Sequence, residues 1–202
     1  MISQNLLIAS GNKGKIQEIK EILSSLKLEF FTPKSLGISI NIEETGNSYG
    51  ENAHLKAEAY SRFTGMAVLA DDSGLEVDAL NGAPGIISAR YSTKENADDL
   101  DRRLHLLSNL QGTPQPWKAH FHCTAVFLSP EGDHFETVGR CDGEIIAQMR
   151  GTGGFGYDPI FFLPAYKKTM AELPSTVKNT VSHRAKALTK MMPYLQSYLN
   201  TQ

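Results

Sequence analysis

Four short stretches carry residue types that could handle a phosphorylated ligand. Ser10-Gly11-Asn12-Lys13-Gly14-Lys15 is a glycine-containing turn with two lysines. It lies between an apolar run, Asn5 to Ala9, and a segment with helical apolar spacing. Backbone N–H groups of such a turn, opening a helix, point at an anion, and the helix dipole adds to the attraction. It is not a Walker A loop, because Gly14-Lys15 is followed by Ile16 rather than Ser or Thr. The alternative is a polar turn with solvated lysines.

Two acidic stretches follow, Glu43-Glu44-Thr45-Gly46 and Asp71-Asp72-Ser73-Gly74. Neighbouring acids on an extended segment point to opposite sides, so one of each pair can face a site while the other serves structure. Two carboxylates from separate segments beside a phosphate loop fit Mg²⁺. That ion takes one or two protein carboxylates and completes its shell with water and substrate phosphates. The alternatives are a solvated loop for Glu43-Glu44 and a turn cap for Asp71-Asp72. Two adjacent acids ending an apolar strand repel one another, which calls for a reason to be there.

The stretch from Gly151 to Pro159 (GTGGFGYDP) sets Phe155 and Tyr157 among four glycines. An aromatic ring on such a loop is a stacking surface for a flat base, unless both rings plug the core. Lys178 and Ser182-His183-Arg184 offer donors: the Arg fork and a His N–H can read a carbonyl oxygen, and Lys178 a base edge or phosphate. Ser182 reads equally as a helix N-cap. Two other clusters are set aside. Strand alternation puts Cys123 opposite His120 and His122, a poor zinc site. Ser73 lacks the G-x-S-x-G turn of a serine nucleophile.

The elements that must position these residues follow from periodicity. Asn5 to Ala9 and Met66 to Ala70 read as buried strands, with Asp71-Asp72 at the C-terminal end of the second. Ile16, Ile19, Ile22, Leu23 and Leu26 mark a helix, as do the stretches 51–63, 100–110 and 183–199. Residues 121–128 and 134–139 read as strands joined by a turn at Ser129 to Gly132. Alternating strands and helices that give way to antiparallel strands predict an α/β class with a mixed sheet.

The composition is ordinary: 41% hydrophobic and 21% charged over 202 residues, enough to bury a core without staples. A net charge of −2 argues against a protein that coats nucleic acid. No apolar run spans a bilayer, the N-terminus lacks the basic flank of a signal peptide, and two cysteines make no disulfide framework. A cytoplasmic enzyme or binding domain is the expectation.

Ser10 to Lys15, Glu43 to Gly46 with Asn52 and Lys56, Ala70 to Leu75, Gly82 to Ser92, Gly151 to Phe162 and Ser182 to Arg184 occur in one order across residues 10 to 184. Together they resemble the inosine triphosphate pyrophosphatase family, enzymes that remove the non-standard purine nucleotides ITP, dITP and XTP. The resemblance implies an α/β fold with a central curved mixed sheet flanked by helices. It also implies two lobes with a substrate cleft between them, one domain over 1–202, and a homodimer. The implied reaction is Mg²⁺-dependent hydrolysis of a purine nucleoside triphosphate to monophosphate and pyrophosphate, with no nucleic acid polymer or membrane as partner. By position, Asp72 is the catalytic acid and a Mg²⁺ ligand, and Glu44 the second metal carboxylate. Ser10, Gly11, Asn12, Lys13, Gly14, Lys15, Lys56 and Ser73 line the triphosphate. Phe155, Gly156, Tyr157, Asp158, Lys178, His183 and Arg184 surround the nucleoside. Two stretches fit the family pattern less closely: Leu100-Asp101-Arg102 stand where an Asn-containing helix start is expected, and Cys141-Asp142 stand in a variable stretch. Both departures bear on dimer contacts more than on the site.

Overall fold

A computed structural model describes residues 4–201. The N-terminal apolar run forms strand β1 (Gln4–Ile8), and the glycine-containing turn leads into helix α1 (Lys13–Ile22). Then come β2 (Leu28–Phe31), α2 (Tyr49–Thr64), β3 (Ala67–Val77) and α3 (Asp99–Asn109). The second half contains β4 (Trp117–Leu128), β5 (His134–Ile145), β6 (Phe161–Leu163), β7 (Lys168–Thr169), α4 (Ser175–Val181) and α5 (His183–Thr201). One seven-stranded sheet takes the order β2-β1-β3-β4-β5-β6-β7. β1 runs parallel to β2 and β3, while β5, β6 and β7 pair antiparallel, so the sheet is mixed as predicted.

The chain clusters into two compact units. The first holds the described residues up to Asp72, Cys123–Gly139, and the residues from His183 onward. Its strands are apolar at nearly every position because both faces are covered. Leu6, Ile8, Ala67, Leu69, Cys123, Ala125 and Phe127 pack with Ile19 and Ile22 of α1 and Leu188 and Met191 of α5. The alternate residues Leu7, Ala9, Val68, Ala70 and Val126 pack on Ala53 and Ala57 of α2. The second unit, Ser73–His122 with Arg140–Ser182, has its own core of Leu75, Val77, Leu106, Leu110, Trp117, Phe121, Ile160 and Phe161.

Two boundaries differ from the sequence reading in ways that matter for chemistry. α1 starts at Lys13, so both lysines of the turn belong to the first helical turn, capped by Asn12. β3 does not stop at Ala70: it carries Asp71 and Asp72 in mid-strand and runs on through the fully buried Leu75 and Val77. Acids end a strand when they need water; these two find cations instead. Among the described residues, no helix is long and apolar enough to cross a membrane. Nor does any group of three or more His, Cys, Asp and Glu form a metal cluster; His120 pairs with Glu76, and Cys123 is buried beside Asp71.

Candidate active site

The two-residue period of β3 separates the neighbouring acids. Asp71 continues the face of Ala67 and Leu69, toward α1 and α5. There its Oδ2 accepts from Arg184 Nε at 3.2 Å and Nη2 at 3.0 Å, and lies 3.1 Å from Lys15 Nζ. The remaining arm of Arg184, Nη1, donates to Glu18 of α1. Burial alone would push the Asp71 pKa up, but Lys15, Arg184 and Lys56 outweigh it and hold the carboxyl far below the ordinary range. The same burial and the Asp71 charge push the Cys123 thiol up to about 12, an inert thiol.

Asp72 continues the face of Val68 and Ala70, toward α2. Its Oδ1 is 3.5 Å from Lys56 Nζ and its Oδ2 accepts from Asn52 Nδ2 at 3.4 Å. Lys56 lies 2.9 Å from Glu44 Oε1 and donates to the Asp71 carbonyl at 2.8 Å. Asn52 also accepts from the Gly46 N–H at 2.8 Å, which anchors the Glu43-Glu44-Thr45-Gly46 segment to α2. Gly46 has to be glycine there: an added Cβ would come within 2.6 Å of Glu51 and 2.7 Å of Asn52. Asp72 has a raised pKa, chiefly from burial, with Lys56 and Lys15 opposing and Glu44 and Asp71 adding to the rise. The Lys56 ammonium is costly to bury, yet Asp72, Asp71 and Glu44 hold it charged.

Glu44 and Asp72 thus converge on one cation, the Lys56 ammonium. Asp71 Oδ1 is buried with no hydrogen-bond partner among the described residues. Glu44 and Asp72 are oxygen donors only and, set against the single Lys56 charge, keep a surplus negative charge, which suits a hard divalent ion such as Mg²⁺.

The start of α1 has the reverse polarity. Asn12 Oδ1 accepts from the Lys15 N–H at 3.1 Å, and Ser10 Oγ accepts from the Asn12 N–H at 3.2 Å. The N–H groups of Lys13 and Gly14 have no acceptor inside the helix. No acid stands in the first turn; two lysines do, although the helix dipole disfavours cations there by roughly 0.3–1 kcal/mol each. An anion above the turn removes that penalty. Gly11, Asn12 and Lys13 are exposed, and Ser10, Gly14 and Lys15 half-buried.

In the second unit, Phe155, Asp158 and Lys178 form one cluster. Lys178 of α4 donates to Asp158 Oδ2, which also accepts from the Phe155 N–H at 2.9 Å. The Lys178 ammonium lies over the Phe155 ring, 4.9 Å from its centroid. Gly154, at φ +72°, allows this: a Cβ there would meet Asp158 Oδ2 at 2.0 Å. Ser73 follows Asp72 in β3 and is half-buried.

Two sequence assignments need correcting. Tyr157 is no stacking surface; it is 5% exposed, packs in the second core and donates its hydroxyl to Ser88 O at 2.9 Å. Arg184 does not present its fork to a base carbonyl. At 1% exposure, its donors are engaged by Asp71 and Glu18, because α5 opens beneath β3 opposite α1. His183 is 6% exposed at the head of α5, where Gly139 lets β5 approach; a Cβ on Gly139 would lie 2.0 Å from His183 O. Glu18 is a site residue that sequence reasoning misses. Its signal is positional: it shares a helical face with Lys15 and Ile22, an acid on the side that must be buried.

The Ham1 family model matches residues 6–194. A dITP/XTP pyrophosphatase of Desulforamulus reducens is 45% identical over 191 residues, 94% of each chain. A solved HAM1 protein from Coxiella burnetii superposes with a TM-score of 0.85 at 38% identity, covering 96% of this chain and 99% of that one. A crystal structure of a nucleoside-triphosphatase / dITP/XTP pyrophosphatase from Mycobacterium abscessus does so at 0.73 and 38% identity, covering 95% and 100%.

Proposed function

Because the chain belongs to the Ham1 family, we propose that it hydrolyses dITP, XTP and ITP between the α and β phosphates, releasing pyrophosphate and the nucleoside monophosphate. The reaction class, nucleoside triphosphate pyrophosphatase, is that of its relatives. The observation that carries the reading is the meeting of Glu44 and Asp72 on one cation, in the unit that also holds a lysine-bearing helix start without acids.

Glu44 and Asp72 would hold Mg²⁺, which when bound neutralises phosphate charge and polarises the reacting phosphoryl group. Asp72 also serves as proton acceptor for the attacking water. Asn52 and Lys56 fix its two oxygens. Lys13, Lys15 and the free N–H groups of α1 bind the phosphates and take up charge on the departing pyrophosphate. Arg184 and Glu18 keep Asp71 ionised and in place, so that Lys15 stays at the mouth of the helix. Phe155 offers its ring face to the purine.

A panel of ITP, dITP, XTP and ATP, assayed separately for pyrophosphate and orthophosphate, tests this. Pyrophosphate from the first three, abolished by EDTA and restored by Mg²⁺, is the expected result. Orthophosphate as first product, or turnover unaffected by EDTA, would refute it.

A further inference from the structure

The first turns of α3 touch the glycine-rich loop. The Gly156 N–H donates to Asp99 Oδ2 at 2.7 Å, and the Gly156 carbonyl accepts from Arg103 Nη1 at 2.6 Å. Both polar groups of one loop residue are therefore held by the first turns of α3. Asp99 Oδ1 takes the Arg102 guanidinium, whose other arm bonds the Ala97 carbonyl at 2.7 Å. Arg103 Nε is buried without a hydrogen-bond partner among the described residues. The half-buried guanidinium reaches across to Gly156 with its Nη1.

The loop supplies only part of this order itself. Phe155 N–H on Asp158 Oδ2 and Asp158 N–H on Phe155 O, at 3.1 Å, close one turn, but neither bond uses the N–H or the carbonyl of Gly156. With glycine at 151, 153, 154 and 156, ordering the segment costs more backbone entropy than ordering residues that carry side chains. Gly156 sits at φ +58°, one residue after Phe155.

We propose that Asp99 and Arg103 are positioning residues that lock the peptide groups of Gly156 and so hold the Phe155 ring ready for the base. The proposal rests on the reading that this loop receives the purine. A ring already in place spares the ligand the ordering of the loop, so losing the clamp weakens binding and leaves the chemical step alone.

The test measures kcat and KM for ITP in the wild type, Asp99→Ala, Asp99→Asn and Arg103→Ala. It adds the inhibition constant of tripolyphosphate, which has no base, and hydrogen exchange at the Gly156 amide. Asp99→Ala and Arg103→Ala should each raise KM about ten-fold, equivalent to about 1.4 kcal/mol, with kcat within about two-fold. The tripolyphosphate constant should not move, and Gly156 exchange should quicken. Asp99→Asn keeps an acceptor for the amide and should fall between. Unchanged KM despite faster exchange overturns the proposal, as does an equal loss of tripolyphosphate binding. Phe155→Ala separates the premise: if it leaves KM unchanged, the loop does not take the base and both readings fall.

Discussion

Each compact unit is built around a buried acid–base pair, Asp71–Arg184 in the first and Asp158–Lys178 in the second, and the two are held by different means. In the first unit the charged partners stand on helices and strands, Lys15 and Glu18 on α1, Lys56 on α2, Asp71 and Asp72 on β3 and Arg184 on α5, except Glu44, whose loop Asn52 of α2 anchors at Gly46. In the second, the acid and the ring stand on a glycine-rich loop, and side chains of α3 hold the loop by its peptide groups. Fixed elements place charges to a fraction of an ångström, as reactions at phosphorus require. A flat base asks for less, a ring face at the right tilt, and a clamped loop can give that.

The largest expected effect sets the two pairs against each other. Arg184→Ala takes the guanidinium from two buried carboxylates at once, Glu18 and Asp71, and leaves Asp71 to Lys15; breaking such a buried pair costs about 3–5 kcal/mol. For a chain of this size that lowers Tm by roughly 10 °C. Lys178→Ala strands only Asp158 and should cost clearly less. Equal losses in thermal melts would break the comparison.

Next comes the contrast between the neighbouring acids. Asp72→Asn should lower kcat by at least about 10²-fold with a nearly unchanged Tm. Asp71→Asn should lower Tm, because Lys15 loses its counter-charge and Arg184 keeps only Glu18. Steady-state rates and melts of both variants check this, and a stable, active Asp71→Asn protein would erase the distinction.

The smallest effect is the pH dependence of the α3 clamp. Burial raises the Asp99 pKa, but the bonds from Arg102 and the Gly156 N–H outweigh it and leave it depressed. A depressed carboxylate adds stability above its unfolded pKa, about 3.9, and loses it as pH falls through the folded value. In urea melts, the gap between wild type and Asp99→Asn should hold from pH 7 to 5 and close below about pH 4. The gap itself should stay under about 1 kcal/mol, since Asp99 is half-exposed and screened. A gap that widened in acid would reverse the sign of the argument.

The first unit is largely legible in the amino-acid sequence. Its apolar runs, helical stripes and the phosphate turn all rest on short-range periodicity, and alternation alone predicts that Asp71 and Asp72 face apart. The extent of β3 is not legible, because continuation through two acids depends on cations from α1, α2 and α5, distant in sequence. The burial of Arg184 is hidden for the same reason: nothing near residue 184 shows that Glu18 and Asp71 wait beneath it. In the second unit, the short strands β6 and β7 have too few residues to show a period. The aromatic pair in the loop leaves stacking and core packing open, and each residue takes one: Phe155 stays half-buried and Tyr157 goes into the core.

One residue of sequence separates the acid that serves structure from the acid that serves chemistry. A slip of β3 by a single position would exchange them, setting Asp72 against Arg184 and turning Asp71 toward Glu44 and Asn52. The exchanged arrangement keeps the same composition and the same number of charges. Yet Ala70 and Leu69 would trade faces too, setting leucine in place of alanine against Ala53 and Ala57 of α2. Correct pairing of the central strand and a competent site are therefore one event, and turnover by a refolded sample reports that its sheet is in register.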